Sequence, residues 1–443
     1  MFIECNANYK IVLYVKKTVN LLMMWENIHI NRLVNSFLPE DTKNIIVLLT
    51  GARQTGKTTL LKKRYSNLPY YNLDAIEYRE QLKGISSFSW VSEVGEAVID
   101  EIQKEPALLD KIKYSFDDGS LRFTALSGSA RLLLLRQIRE TLTGRVTLQE
   151  LFPFMINELM NFDLSAYEPV LLHKLIDTVD PEKHLEGIKT VLLGDIWDKV
   201  FRTEEYLMKW GGMPALIHIS SESEKQQWLQ DYSVTYLERD LNDLARISDL
   251  LPFHKFQQIT SLRAGNLLSY SEIARDAGIG IETARRYLEY LRISYQTILI
   301  QPYRKNLTSS LVKTPKVYWL DNGLLRQISG LGFSFSDGRL FENYFAAELY
   351  KYTKSVKKNI SLSFYRTRSG MEVDFCLESA KGLIAIEVKN RSTVVKSDIS
   401  GLKKIRDAAG QEFRIGLLAY RGNAIKKLSD RIWAIPSCRL LIQ

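Results

Sequence analysis

Short runs of apolar residues alternate with helical stretches in the N-terminal part of the chain. Three of these runs, at residues 45–50, 96–100 and 122–127, are continuous or rich in branched side chains. Strands that are buried on both faces of a parallel sheet have this composition, whereas strands of a half-exposed sheet alternate apolar and polar residues. The pattern therefore predicts an α/β domain built on a parallel sheet.

The chain loses strand character after about residue 153 and shows helical periodicity as far as residue 251. Two examples are the stretches 204–210 and 227–244, in which apolar residues recur at helical spacing. We interpret this region as a helical lid over the α/β domain.

Two short helical patterns, at residues 271–276 and 281–291, are separated by a turn at Gly278. This is the spacing of a helix-turn-helix. The second helix is predicted to bury an apolar stripe formed by Ile281, Ala284, Leu288 and Leu291. Residues 294–302 are a candidate wing strand. DNA contact through the arginines of the opposite face and packing against protein both remain open.

The C-terminal part predicts a helix over residues 341–351 and a hairpin over residues 371–389. The first strand of the hairpin alternates apolar and polar residues, as a half-buried strand does. In the second strand Glu387 and Lys389 are two residues apart, so they share a face. One hairpin can therefore gather both of them with Asp374.

A chain of 443 residues is too long for one hydrophobic core, so several domains are expected. Its 45% hydrophobic and 25% charged residues are typical of a globular protein, and no segment of the sequence is long and apolar enough to cross a bilayer. We therefore expect no membrane partner. Three scattered cysteines form neither a zinc motif nor a disulfide framework, which favours the reducing cytoplasm.

The net charge of +9 is unevenly distributed. Residues 301–443 contain 25 Lys and Arg against 12 Asp and Glu, a balance of +13, whereas residues 1–300 have a balance of −4. A basic segment of this kind is typical of a protein that contacts a polyanion, most often nucleic acid. A solvated basic surface is the alternative, and charge by itself does not separate the two.

Residues 51–58, GARQTGKT, fit the pattern G-x-x-x-x-G-K-[ST] of a phosphate-binding loop. The loop follows a buried strand and precedes a helical stretch, which is the context that this chemistry requires. Its glycines let backbone N–H groups close around phosphates, Lys57 reaches the β and γ oxygens, and Thr58 ligates Mg²⁺. The residues predicted to contact ATP in this segment are Gly51, Ala52, Arg53, Gln54, Thr55, Gly56, Lys57, Thr58 and Thr59.

Residues 97–101, AVIDE, form an apolar run that ends in two acids. Asp100 is predicted to hold Mg²⁺ through water, and Glu101 to act as the general base that polarises the attacking water. The second role separates hydrolysis of ATP from binding alone. A solvated acidic turn at the end of a strand is the structural alternative.

Two further candidates follow the third apolar run. Ser129 is a candidate sensor of the γ-phosphate, because small polar side chains at such a strand tip can contact it. Arg145 lies where a ring-forming ATPase presents an arginine finger to the nucleotide of its neighbour, which predicts a homo-oligomer. A local salt bridge is the alternative role for this arginine.

These motifs together resemble the bacterial and archaeal AAA-type ATPases that carry a C-terminal nuclease-like domain. The resemblance rests first on GARQTGKTT at residues 51–59, IDEIQKEP at 99–106 and ALSGSARLL at 125–133. It continues in GGMP at residues 211–214, TYLERD at 235–240, KVYWLDNGL at 316–324 and FENY at 341–344. It covers the chain from about residue 27 to the end, with Ala52 standing where many relatives have proline.

The resemblance implies an AAA-like ATPase core, a winged helix and a restriction-endonuclease-like C-terminal domain. The expected ranges are 1–26 for an N-terminal extension, 27–160 for the ATP-binding domain, 161–255 for the lid, 256–305 for the winged helix-turn-helix and 306–443 for the nuclease-like domain.

Asp374, Glu387 and Lys389 resemble the PD-(D/E)XK pattern of metal-dependent nucleases, in which all three residues are catalytic. Carboxylates of such a site bind Mg²⁺, and the lysine orients water or stabilises developing charge. The expected metal ligands are Asp374 and Glu387, with Glu342 of the preceding helix as a further acid. A hairpin that keeps the fold without cutting is the alternative.

The leading hypothesis is a cytoplasmic ATPase that binds and hydrolyses MgATP and is coupled to a basic, nuclease-like domain. DNA is the expected partner, through residues 306–443 and the winged helix. An active Mg²⁺ endonuclease gated by ATP is a variant of this hypothesis. A hypothesis of a different class is a nucleotide-dependent switch that binds a partner protein through an inactive nuclease-like domain.

Overall fold

The computed structural model describes residues 30–128, 141–160, 168–245, 250–303, 313–334 and 336–443, and for residues 236–245 only the backbone is described. The expected N-terminal extension and Ser129 lie outside the described residues. The described part combines α-helices with two β-sheets, which confirms the predicted α/β class.

The first sheet contains the predicted nucleotide-binding motifs. Its strands are β1 (Ile45–Gly51), β2 (Tyr70–Asn72), β3 (Val98–Asp100), β4 (Phe123–Gly128) and β5 (Val146–Leu151). The order is β2-β3-β4-β1-β5, and all neighbours are parallel. This confirms the parallel sheet and its three predicted strands. The sequence pattern does not indicate β2, which has three residues, or β5, which alternates polar and apolar residues.

Helices lie on both faces of this sheet. They are α1 (Lys57–Arg64), α2 (Ile76–Gly84), α3 (Trp90–Glu93) and α4 (Leu108–Asp117). Alternate residues of the central strand β1 enter two separate cores: Ile46 and Leu48 pack with residues of α3 and α4, whereas Val47 and Leu49 pack with residues of α1. Burial on both faces is the physical reason for the unbroken apolar run in β1.

The region that follows is helical, as predicted. Its helices are α5 (Ile156–Met160), α6 (Leu171–Asp177), α7 (Pro181–Glu186), α8 (Asp195–Trp210), α9 (Pro214–Ile217) and α10 (Glu222–Ala245). Apolar side chains such as Leu175, Leu207 and Trp210 belong to a large core that also contains residues of the C-terminal sheet. These helices therefore pack with helices and strands of the C-terminal part, which differs from the expected lid over the first sheet.

Among the described residues, the two helices of the predicted helix-turn-helix share a core with the helix that precedes them. In chain order these helices are α11 (Leu251–Leu262), α12 (Tyr270–Ala277) and α13 (Ile281–Ile293). Gly278 ends α12 with a φ of 73°, a left-handed conformation that glycine adopts without steric cost. Ala284, Leu288 and Leu291 are buried as predicted. Ile281 is 46% exposed and does not belong to the buried stripe, because it is the first residue of the helix.

Within the part of the chain that the structure describes, the second sheet has eight strands. They are β6 (Thr297–Pro302), β7 (Lys316–Trp319), β8 (Ser361–Arg366), β9 (Glu372–Ser379), β10 (Gly382–Lys389), β11 (Phe413–Tyr420), β12 (Lys426–Ser429) and β13 (Ile432–Pro436), in the order β12-β13-β11-β10-β9-β8-β6-β7. The candidate wing strand is β6, which pairs antiparallel with β7 and continues into a parallel pair with β8. The expected boundary between residues 305 and 306 therefore falls inside one sheet.

The predicted hairpin is formed by β9 and β10, and the predicted helix over residues 341–351 is part of a longer one. The last helices are α14 (Asn322–Ser329), α15 (Gly338–Val356), α16 (Ser400–Ala409) and α17 (Ser437–Leu440). Residues 373–377 are all buried, because α15 packs on one face of the hairpin and α16 on the other. The prediction of a half-buried strand was wrong, since α16 covers the face expected to meet solvent.

Candidate functional site

The predicted phosphate-binding loop lies between the end of β1 and the start of α1. A Cβ on Gly51 would lie 2.2 Å from the carbonyl oxygen of Leu151, so a glycine is required where β1 runs beside β5. Gly56 has a φ of 92° and precedes the first residue of α1. This left-handed turn brings the positive end of the α1 dipole to the loop, where it favours an anion. Gln54, with a φ of 58°, and Thr59 are exposed at the same loop.

Hydrogen bonds within the loop hold Lys57 at its centre. Lys57 Nζ donates to the carbonyl oxygens of Gly51 at 3.0 Å and Ala52 at 2.8 Å. Thr55 Oγ1 also donates to the Ala52 carbonyl, at 2.8 Å. A phosphate oxygen is a stronger partner for a buried ammonium than a neutral carbonyl. The geometry therefore presents Lys57 to an incoming polyphosphate.

Residues from distant parts of the chain fix the outer side of the loop. Arg32 Nη1 donates to the Thr55 carbonyl at 2.7 Å, while its Nε pairs with the buried Glu158 at 3.2 Å. The Tyr232 hydroxyl, on α10, donates to the carbonyl oxygen of Arg53 at 3.2 Å. Arg32 and Tyr232 are loop-contacting residues that the sequence motifs do not indicate, because they are 23 and 179 residues away from their partners.

The Asp100 carboxylate, at the tip of β3, is the centre of a hydrogen-bond network. Oδ2 accepts from Thr58 Oγ1 at 2.6 Å and from the Tyr70 hydroxyl at 2.7 Å, while Oδ1 accepts from Ser127 Oγ. The strand order explains this arrangement, since β3 lies between β2 with Tyr70 and β4 with Ser127. Tyr70 and Ser127 are further site residues that the sequence motifs do not indicate.

The network keeps Asp100 ionised. Burial acts to raise the pKa of Asp100, but hydrogen bonds from Ser127, Thr58 and Tyr70, together with the charge of Lys57, outweigh burial and lower it. Thr58 and Asp100 thus bring a hydroxyl and a carboxylate to one point. Oxygen ligands of this kind are the ones that Mg²⁺ prefers, so these residues fit the expected metal.

Glu101 is placed beside this network by an unusual backbone conformation. Its φ is 57° and its ψ is 41°, and its side chain accepts a hydrogen bond from Gln103 Nε2. Burial raises the pKa of Glu101; the charge of Lys57 opposes this effect and that of Asp100 adds to it. A carboxylate with a raised pKa accepts a proton more readily, which suits the predicted general base.

Arg145 lies at the opposite end of the first sheet from the loop. Its carbonyl oxygen accepts a hydrogen bond from Ile46, near the start of β1, whereas the loop follows the end of β1. Its guanidinium pairs with Asp117 of α4, with Nη2 at 3.0 Å from Oδ2. The local salt bridge foreseen as an alternative is therefore present. A strand of this length separates Arg145 from its own loop by roughly 20 Å.

Tyr295 joins the helix-turn-helix to the first sheet. This residue follows α13, has a φ of 60° and is buried. Its hydroxyl lies 2.8 Å from Thr50 Oγ1 and donates to Glu150 Oε1 at 3.1 Å. Thr50 directly precedes the phosphate-binding loop, so one side chain connects the loop with the strand that opens the second sheet.

The second predicted site is formed at the hairpin of β9 and β10. Asp374 Oδ2 accepts a hydrogen bond from the backbone of Val388 at 2.8 Å, and Glu387 Oε1 accepts one from Lys389 Nζ at 2.6 Å. Burial, with repulsion from Glu387 and Glu342, raises the pKa of Asp374. Burial likewise raises the pKa of Glu387, against the opposing charge of Lys389. The structure therefore gathers the predicted residues.

A buried lysine that the sequence motifs do not single out completes this cluster. Lys316, at the start of β7, is 3% exposed; its Nζ lies 3.0 Å from Glu342 Oε1 and forms an ion pair with Glu372. The Tyr318 hydroxyl donates to Glu342 Oε1 at 2.6 Å. Glu342 is thus held by two donors within the protein.

Asp374 and Glu387 offer limited but suitable ligation for a divalent cation. Glu387 Oε2 is a buried oxygen without a hydrogen-bond partner among the described residues. Within the described part of the chain no group of three or more His, Cys, Asp or Glu side chains is arranged to hold a metal ion. Mg²⁺ is commonly held by one or two carboxylates with waters and substrate phosphates, so the pair fits this ion.

Family models match three parts of the chain. Residues 43–160 match an AAA domain, whereas residues 202–334 and 337–440 match two different domains of unknown function. The AAA match contains the whole loop together with Asp100 and Glu101. The N-terminal part is therefore similar to AAA domains, in agreement with the AAA-type P-loop fold that the sequence predicts. The nuclease-like character of the C-terminal part stays a prediction.

Relatives with a similar sequence extend over most of the chain. An uncharacterized protein of Mycobacterium tuberculosis is 26% identical over 409 residues, which are 89% of this chain and 81% of the relative. An uncharacterized protein of Methanocaldococcus jannaschii is 23% identical over 406 residues, covering 87% of this chain and 84% of the relative. The similarity thus reaches well beyond the ATPase domain.

Two solved structures match the chain at low similarity. The Walker-type ATPase of Pyrococcus abyssi is 16% identical, covers 71% of this chain and 94% of its own, and has a TM-score of 0.37. The ADP form of the ORC2 protein of Aeropyrum pernix is 14% identical, covers 65% and 85%, and has a TM-score of 0.26. Among the described residues, no helix has the length and apolar character needed to cross a membrane.

Proposed function

We propose that the protein binds and hydrolyses MgATP at the phosphate-binding loop. The observation that supports this most strongly is the hydrogen bond of 2.6 Å between Thr58 and Asp100, beside Glu101. It joins the loop to the acidic tip of β3, so that the residues for binding and for hydrolysis meet at one place. The match of residues 43–160 to an AAA domain supports the same proposal.

Each residue of the site has a separate role in this proposal. Lys57 stabilises the negative charge of the β and γ phosphates from the centre of the loop. Thr58 and Asp100 would hold Mg²⁺, Asp100 through water. Bound Mg²⁺ supplies charge neutralisation at the phosphate oxygens. Glu101 removes a proton from the attacking water, for which its raised pKa suits it.

Two substitutions test the assignment. Lys57→Ala is expected to weaken ATP binding, measured with a fluorescent ATP analogue, because it removes the buried cation of the loop. Glu101→Gln is expected to retain binding and to lower hydrolysis by about a hundredfold or more, since the base is lost. The exposed residues Lys63 and Glu93 provide the matched controls Lys63→Ala and Glu93→Gln. Unchanged hydrolysis in both site variants would exclude the ATPase proposal.

We further propose that the C-terminal domain acts on DNA and that ATP turnover is coupled to it. Support comes from the balance of +13 in residues 301–443 and from the cluster of Asp374, Glu387 and Lys389. Carboxylates and a lysine around a divalent cation are the groups used in metal-assisted cleavage of phosphodiesters. Asp374 and Glu387 would hold the cation, and Lys389 would stabilise developing charge.

A combined assay on one preparation of the full chain distinguishes the alternatives. ATP hydrolysis and DNA cleavage are measured with and without Mg²⁺ and DNA, for the unaltered chain and for Asp374→Asn. Cleavage that Asp374→Asn abolishes and that also changes when ATP is omitted supports a nuclease gated by ATP. DNA binding without cleavage supports a domain that keeps the nuclease-like fold but does not cut DNA. If the chain neither binds nor cleaves DNA, the switch that binds a partner protein is the alternative that remains.

A further inference from the structure

The interior of the C-terminal site contains a fixed positive charge. Lys316 is 3% exposed, and its Nζ contacts two carboxylates, Glu342 at 3.0 Å and Glu372 in an ion pair. The same charge acts on Asp374. A buried ammonium among acids neutralises part of the negative charge that metal ions would otherwise neutralise.

Glu342 and Glu372 both pair with Lys316 within the protein. Glu342 Oε1 accepts from Lys316 and, at 2.6 Å, from the Tyr318 hydroxyl. Glu372 pairs with Lys316 through Oε1 and with Arg366 Nη1 at 2.8 Å through Oε2. A second cation beside these carboxylates would also lie beside the buried charge of Lys316, and displacing Lys316 from both acids would leave it buried without a partner, which is costly.

Asp374 and Glu387 are the carboxylates that remain. Glu387 uses Oε1 for Lys389, while its buried Oε2 has no hydrogen-bond partner among the described residues. Two carboxylates supply enough ligands for one Mg²⁺ completed by water and a substrate phosphate. A two-metal site needs further anionic ligands between ions about 4 Å apart. The charges of Glu342 and Glu372 are paired with that of Lys316.

We propose that Lys316 is a positioning residue that occupies the place of a second cation, so that the C-terminal site binds a single divalent ion through Asp374 and Glu387. This inference rests on the proposed metal site of the C-terminal domain. It removes Glu342 from the ligand set and assigns Glu342 to the ion pair that fixes Lys316.

The number of bound Mn²⁺ ions, measured by electron paramagnetic resonance on the full chain without nucleotide, tests the proposal. The measurement is made in an Asp100→Asn background, which removes the acid of the ATP site. We expect one ion that Asp374→Asn abolishes. Glu342→Gln and its matched control Glu372→Gln, which loses the same charge beside the same lysine, should weaken affinity equally and by less than about threefold.

The outcomes separate the inference from the function on which it rests. Two ions lost with Asp374→Asn, or a more than tenfold loss of affinity in Glu342→Gln but not in Glu372→Gln, would overturn the single-ion site while leaving a metal site in place. A count that Asp374→Asn does not change would overturn the metal site itself. Lys316→Met should raise the number of bound ions to two. If Lys316→Met does not fold, the comparison of Glu342→Gln with Glu372→Gln decides the question.

Discussion

The hydroxyl of Tyr295 lies 2.8 Å from the hydroxyl of Thr50, directly before the phosphate-binding loop. The same hydroxyl donates to Glu150 of β5 at 3.1 Å. Two residues later the chain enters β6, a strand of the C-terminal sheet. A shift of the loop on nucleotide binding would therefore have a short physical path to that sheet.

Tyr295→Phe tests this path. The substitution removes a buried hydroxyl with two hydrogen-bond partners, so the free energy of unfolding should fall by about 1–2 kcal/mol in urea titrations. ATP analogue should protect amides of residues 281–302 from hydrogen exchange in the unaltered chain and protect them less in the variant. Tyr344→Phe is the control, because its buried hydroxyl has no hydrogen-bond partner among the described residues. Equal nucleotide protection in both variants would show that Tyr295 transmits nothing.

Arg145 is expected to act on the nucleotide of a neighbouring subunit. It lies at the far end of the sheet from its own loop, and its salt bridge with Asp117 leaves it 32% exposed. Mixing Arg145→Ala with Glu101→Gln protein should then restore part of the hydrolysis, because the second variant supplies the arginine to the intact site of the first. Arginine fingers contribute on the order of a thousandfold or more, so the rescue is readily measured.

Asp117→Asn separates the finger from the salt bridge. If Arg145 serves the salt bridge alone, Asp117→Asn should reproduce the loss of hydrolysis seen in Arg145→Ala. We expect Asp117→Asn to retain most of the activity. Failure of the mixed variants to recover activity would assign Arg145 to its own subunit.

The buried Glu204 predicts a pH dependence of stability. Burial raises the pKa of Glu204 from 4.5 to about 7, although Arg421, 3.5 Å away, and the Ser437 hydroxyl oppose this effect. The native state thus keeps the proton that the unfolded chain releases. Glu204 contributes about 3 kcal/mol to the free energy of unfolding below pH 4.5. This contribution is lost as the pH rises to about 7.

Glu204→Gln should remove this contribution. The unfolding free energy of the unaltered chain minus that of the variant should decrease between pH 4.5 and pH 7 and remain constant above it. Glu205→Gln is the matched control, since Glu205 is exposed and contacts the same Arg421 at 3.1 Å. A difference that does not change with pH would mean that Glu204 is ionised throughout.

The sequence predicts the site where its residues are contiguous and fails where distant segments meet. The loop and the acids at the tip of β3 are local patterns, and the structure brings Thr58 and Asp100 together. Tyr70 and Lys316 belong to strands of three and four residues, whose neighbours are decided by sheet order rather than by periodicity. The wing strand has the expected position, but its pairing with β8 makes it part of the C-terminal sheet.

DNA binding by the C-terminal domain is expected to depend on charge. The helix α16 covers the face of β10 that carries Glu387, and its residues Lys403 and Lys404 are exposed. Because each phosphate that a lysine neutralises releases condensed counterions, affinity should fall steeply with salt. The full chain is the object to measure, since the C-terminal sheet shares its core with helices of residues 171–217.

Replacing Lys403 and Lys404 with alanine should lower the slope of log affinity against log salt by up to about 2, because two phosphate contacts are lost. The matched control replaces Lys62 and Lys63, an adjacent exposed pair on α1 in the acidic part of the chain, and should leave the slope unchanged. Asp374→Asn should not weaken binding, since a carboxylate repels phosphate unless a cation intervenes. If the full chain does not bind DNA at low salt with Mg²⁺ or Mn²⁺ present, the basic surface serves a different partner, and the switch that binds a protein becomes the better account of this domain.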